Sequence, residues 1–172
     1  MLDSVEPTRT VTFPMPVRFV PSGRSSHLDC PSPFAGIWHH STDESTLYQM
    51  MQNGWNPLLN RNSIYGTAVY LSRSVWLPNQ MTISGVLSLD KTEVMTQFQS
   101  SAGCGRSQDH LVWFLKENGL SHASRRPAPG NDTKNQEIAE FFLERGVKAI
   151  RFEEHGTDVV ALYDPSCFYV FQ

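Results

Sequence analysis

Clustered basic residues, long apolar runs and paired cysteines are what this 172-residue sequence has least of. With 14 Lys and Arg against 17 Asp and Glu, the net charge is −3 and there is no basic stripe. That argues against nucleic-acid binding, because phosphate contacts need clustered cations. No run reaches the length of a membrane-spanning helix, so a membrane partner is not expected. The first ten residues carry acidic side chains and no apolar segment, unlike a secretory signal. Three cysteines, Cys30, Cys104 and Cys167, are an odd number at spacings that suit neither a disulfide framework nor a zinc ribbon, which predicts a reduced protein in the cytoplasm or nucleus.

Apolar residues, at 40%, are sufficient for a core, and the length suits one monomeric domain better than two. No repeat divides the chain. Residues 1–33 read as an N-terminal edge strand and loop, and residues 34–172 as the body of the domain. In residues 10–20, Val11, Phe13, Met15 and Val17 alternate with other residues, while Pro14 and Pro16 confine such a strand to an edge. A short buried strand is predicted at 34–40. Ser41 with Glu44 has the form of a capping box, opening a helix that presents Leu47, Met50 and Met51 on one face and stops at Gly54.

Further strands are predicted at 67–72 and 81–89, the latter alternating Ile83, Gly85, Leu87 and Leu89. Helices are predicted at 91–99, 108–118 and 135–145, with a polar loop at 121–132 between the last two. The chain closes on strands at 148–152, 159–163 and 167–171, with Glu153, Glu154 and His155 in the turn between the first two. Interspersed helices and strands with short turns define an α+β class. Trp38, Trp55 and Trp113 are assigned to the core.

Two segments carry chemistry together. One is Trp38-His39-His40-Ser41, leading to a helix that ends at Asn53-Gly54-Trp55. The other is Tyr65-Gly66-Thr67-Ala68-Val69-Tyr70-Leu71-Ser72. A histidine beside a tryptophan at a strand end is by itself an ordinary packed residue, and Tyr70 alone is an ordinary strand aromatic; their combination is what marks a site. A zinc set of His27, Cys30, His39 and His40 lacks a second clean ligand pair. Cys104, between Gly103 and Gly105, with His110 could form a thiol nucleophile but equally a plain turn. Arg125-Arg126 beside Pro127 reads as a polar loop.

The two segments resemble the first two signatures of the diphtheria-toxin and poly(ADP-ribose) polymerase branch of ADP-ribosyltransferases. There, a strand ending in aromatic-His-Gly-Ser/Thr precedes a helix, and a Gly-x-Gly-x-Tyr strand follows. A third segment, 146–151 through Tyr163-Asp164-Pro165-Ser166, is similar to that superfamily's closing strand pair. The resemblance, over residues 34–171, implies an ADP-ribosyltransferase-like fold with two small sheets forming an NAD cleft. It implies that NAD is a co-substrate and that one ADP-ribose passes to a macromolecular acceptor, a protein, as in a mono-ADP-ribosyltransferase; a toxin-like effector acting in a host cell is one form of this.

By the same resemblance His39 holds the adenosine ribose, assisted by Ser41, and the backbone of His40 faces the nicotinamide amide, where its side chain would narrow the site. Tyr70 stacks on nicotinamide, with Trp76 as the second aromatic. Gly66, beside the small Thr67 and Ala68, admits close backbone approach, and Ser72 completes the lining. Nicotinamide release passes through an oxocarbenium-like state that needs negative charge nearby. The family supplies a Glu five residues before the Asp of aromatic-Asp-Pro, which falls here on Val159. Asp158 is one residue away and would substitute only if a bulge re-aims it; Glu154 is the other candidate carboxylate. A non-catalytic module that keeps the fold to bind NAD, ADP-ribose or a protein is the alternative that Val159 favours.

Overall fold

The computed structural model describes residues 13–21, 34–57, 65–75, 81–95, 115, 132–154 and 156–172. Within them the fold is α+β, a mixed eight-stranded sheet with two helices. In chain order these are β1 (Arg18–Phe19), β2 (Ile37–Thr42), α1 (Glu44–Asn53), β3 (Val69–Ser72), β4 (Met81–Leu87), β5 (Val94–Met95), α2 (Asp132–Glu144), β6 (Ala149–Glu154), β7 (Thr157–Leu162) and β8 (Phe168–Val170).

Across the sheet the order is β1-β8-β4-β2-β3-β7-β6-β5, antiparallel except at β1/β8 and β5/β6. The two separate small sheets expected from the sequence are therefore one. β2 is the reason: it pairs with β4 on one side and meets β3 on the other, so the sheet runs through without a break. The proline-flanked N-terminal segment does form an edge strand: among the described residues Arg18–Phe19 pairs with β8, and Met15 makes an isolated bridge to Trp55. No helix among the described residues is long and apolar enough to cross a membrane.

Strand alternation divides the core between two faces. On one face Ile150, Phe152, Val159, Ala161 and Tyr163 pack against Ile138 and Phe142 of α2. Phe142 stacks on Tyr163 with ring centroids 5.3 Å apart, and burying aliphatic or aromatic side chains of this size stabilises the fold by about 1.5–3 kcal/mol each. The buried Tyr163 hydroxyl donates to the Tyr65 carbonyl at 2.7 Å, so its polar end is satisfied. Trp38, Leu71, Val160, Leu162 and Phe168 point to the other face, where Met50 of α1 and Trp55 cover them.

Several local readings change. The helix is capped by Asp43, whose carboxylate accepts from Thr46 N, and not by Ser41, which continues β2. Its stop at Gly54 stands, with φ 96° and the Gly54 N–H donating to Met50 O. Met50 is buried as expected, but Met51 is exposed. In place of a helix from 91, Asp90 and Glu93 cap one another around a single 3-10 turn, and Val94–Met95 then pairs with β6. Residues 96–99 of that reading lie outside the described residues, as does the predicted helix at 108–118 apart from buried Leu115. Glu153 and Glu154 belong to β6 and not to a turn. Trp38 and Trp55 are core residues, whereas Trp113 falls outside the described residues.

Candidate functional site

The three segments that carried the resemblance fold as neighbouring strands, β2, β3 and β7. Their register is specific: His39 opposes Ser84 of β4 and Ser72 of β3, Ser72 opposes Val159 of β7, and Val159 opposes Phe152 of β6. Directly paired residues project from the same side of a sheet, so Ser84, His39, Ser72, Val159 and Phe152 form one transverse row. Tyr70 lies two residues from Ser72 and Ser41 two residues from His39, which places both on that face beside the row.

His39 is half-buried, and its Nδ1 lies 2.7 Å from Ser84 Oγ. Its Nε2 has no hydrogen-bond partner among the described residues. Alongside, Ser41 Oγ and Thr82 Oγ1 are 2.9 Å apart. Tyr70 turns its hydroxyl away into the preceding turn, donating to Gly66 O at 2.6 Å and accepting from Tyr65 N at 2.9 Å. These bonds hold the Tyr70 ring, with Phe152 edge-on at 6.5 Å. The Ser72 hydroxyl donates to Ser74 O.

Gly66 is bare for a structural reason: a Cβ there would lie 2.8 Å from Asn135 O and 3.0 Å from Ile138, at a φ of 89°. Helix α2 fills the space that the sequence reading gave to a ligand. His40 takes the opposite face, edge-on to Trp55 at 5.4 Å, so its side chain does not narrow the His39 face. Its Nδ1–H donates to the Tyr70 carbonyl at 3.0 Å, which fixes the tautomer, since a carbonyl only accepts. Enclosure of the ring lowers its pKa below the ordinary value, outweighing that bond, although part of the residue's surface reaches solvent. Trp76 lies outside the described residues.

The carboxylates separate cleanly. Val159, where the resemblance calls for Glu, is 3% exposed within the core. Its register to both neighbours is unbroken, so no bulge turns Asp158 round. Asp158 stays on the opposite side, 2.7 Å from Arg151 Nη2, and is not brought together with His39 and Tyr70. Glu153 pairs with Asp158 and shares that side. Glu154, paired with Thr157, has the strand parity of Phe152 and Val159. His155 lies outside the described residues.

Among the described residues no three His, Cys, Asp or Glu are grouped to hold a metal, and His39 and His40 sit on opposite faces. His27, Cys30, Cys104, His110, Arg125 and Arg126 are outside the described residues. Cys167 is buried, and burial pushes its thiol up to about 12, which favours the thiol over the thiolate. Sequence reasoning missed Thr82 and Ser84. Their signal was present: they are the polar positions between the apolar ones of β4. Comparison with known protein families, with curated proteins and with solved structures gives no match for this chain.

Proposed function

We propose that this chain is an ADP-ribosyltransferase-like domain that binds NAD, or its ADP-ribose part, on the face bearing His39 and Tyr70. The supporting observation is the register row: three motifs distant in sequence become adjacent strands, with His39, Ser72 and Val159 in line. A histidine whose Nε2 has no partner among the described residues, a tethered tyrosine ring and the Ser41–Thr82 hydroxyl pair suit a ribose and a flat heterocycle. Breaking the bond to nicotinamide further needs a carboxylate beside the developing cation. Val159 cannot supply one, and Asp158 faces away. Binding without efficient nicotinamide release is therefore the best-supported reading.

The second reading, transfer of a single ADP-ribose to a protein acceptor, rests on Glu154, whose strand parity matches that of Val159's partner Phe152. Titration calorimetry with NAD and with ADP-ribose, beside a nicotinamide-release assay with and without cell lysate, separates the two. Saturable binding that is measurably weakened in His39→Ala and in Tyr70→Ala, without release, supports the binding module. Release that requires lysate and disappears in Glu154→Gln supports the transferase. Absence of binding by both nucleotides, with a folded protein, overturns both.

A further inference from the structure

We propose that Ser84 is a positioning residue for His39: its hydroxyl donates to Nδ1, leaving Nε2 as an N–H donor directed to an acceptor oxygen of the ligand, such as a ribose hydroxyl. This rests on the functional reading for the ligand, but the pairing itself does not.

Three observations carry it. First, the two residues are direct cross-strand partners with Nδ1 and Oγ 2.7 Å apart, a full-strength hydrogen bond. Second, among the described residues the Ser84 hydroxyl has no acceptor but Nδ1, so donation to Nδ1 is the arrangement the proposal assigns. A neutral imidazole carries one N–H, and with Nδ1 accepting, that N–H is on Nε2.

Third, the backbone beneath Ser84 is held from both sides. β4 lies between β2 and β8, and the Ser84 carbonyl accepts from Phe171 N at 2.9 Å. At the next residue, Gly85, a Cβ would overlap the Tyr169 carbonyl oxygen, so β8 lies directly against β4 there. Ser84 therefore presents its hydroxyl from a fixed point, and the ring orientation of His39 is set before any ligand arrives. Preorganised donors of this kind lose little freedom on binding.

The test uses the whole chain labelled with nitrogen-15 and needs no ligand for its first arm. The His39 ring should show a single neutral tautomer with Nε2 protonated. Ser84→Ala should move both ring nitrogens toward exchange-averaged values, and Ser84→Thr should restore them. A wild-type ring protonated at Nδ1, or a tautomer indifferent to Ser84→Ala, overturns the proposal.

In the second arm, ADP-ribose affinity should fall about tenfold in Ser84→Ala, the size of one lost hydrogen bond. It should return to within about twofold in Ser84→Thr. In a His39→Ala background, Ser84→Ala should have no further effect; an equal loss there would mean that Ser84 acts independently of His39 and would sink the idea. If ADP-ribose does not bind the wild type while the tautomer behaves as described, the nucleotide reading fails and the Ser84–His39 pairing stands.

Discussion

One face of the sheet is built in two ways. Over β7 and β6 it is apolar and buried, closed by α2 through Ile138 and Phe142. Over β2 and β4 the same face carries His39, Ser41, Thr82 and Ser84, all half-buried and bonded in pairs. The boundary falls along β3, where Tyr70 leans on the covered half and half-buried Ser72 lies on the open side. The difference is one of side-chain choice at alternating positions, since the backbone ladder is continuous. It shows how a sheet can hold a polar site rigidly: half of the face supplies the core, and the other half borrows its register.

The strongest way to break the contrast is to put a charge in the covered half. Val159→Glu should cost about 4 kcal/mol at neutral pH, as an unpaired buried carboxylate, and less in acid where it is protonated. Its register partner gives the control: Ser72→Val, on the same row, should change stability by no more than about 0.5 kcal/mol. Denaturant unfolding of the pair measures both, and equal costs would contradict the division. Next comes Gly85→Ala, which should destabilise by about 3 kcal/mol because β8 must part from β4 to admit a methyl group. If the open half depends on that strand, the His39 ring signals should change in the same variant.

A smaller effect concerns pH. The folded-state pKa of His40 lies below its unfolded value, so the unfolded chain binds protons first on acidification. Stability from this residue is full above the unfolded value near 6.5 and falls as pH drops through the window beneath it. His40→Gln should flatten the dependence of melting temperature on pH between neutral and mildly acidic buffer; an unaltered slope would remove His40 as its source. The smallest expected change is Asp158→Asn, which loses a partly exposed ion pair with Arg151 worth at most about 1 kcal/mol. Nucleotide binding should be unchanged, and a loss of binding would return Asp158 to the site.

What the sequence made legible was local. Trp38 and Met50 were readable as core, and Gly54 as a helix stop, because alternation, helical spacing and glycine at a C-terminus are short-range signals. The helix start was misplaced because residues 41–46 offer overlapping caps, and strand pairing with Thr82 took Ser41. The predicted helix from 91 failed for a similar reason: Val94–Met95 is held by distant β6, and Lys148 N donates to Glu93 O from the same neighbourhood. The role of His40 turned on which face its strand position occupies, and the position of Asp158 on whether the register held. The pairing of Ser84 with His39 was hidden because the two are joined only through the sheet.

The strand order also governs assembly in time. β3 is flanked by β7 and β4 by β8, and both flanking strands belong to the last stretch of the chain. During synthesis, His39, Tyr70 and Ser84 all emerge while β3 and β4 still present bare edges, and such edges are templates for pairing with other chains. The face bearing His39 is thus flanked on both sides only when residues 157–170 have been made. A ribosome-bound chain stopped short of them carries His39, Tyr70 and Ser84 and can pair β2 with β3 and β4, but it lacks Val159 and the strands that cover the outer edges of β3 and β4.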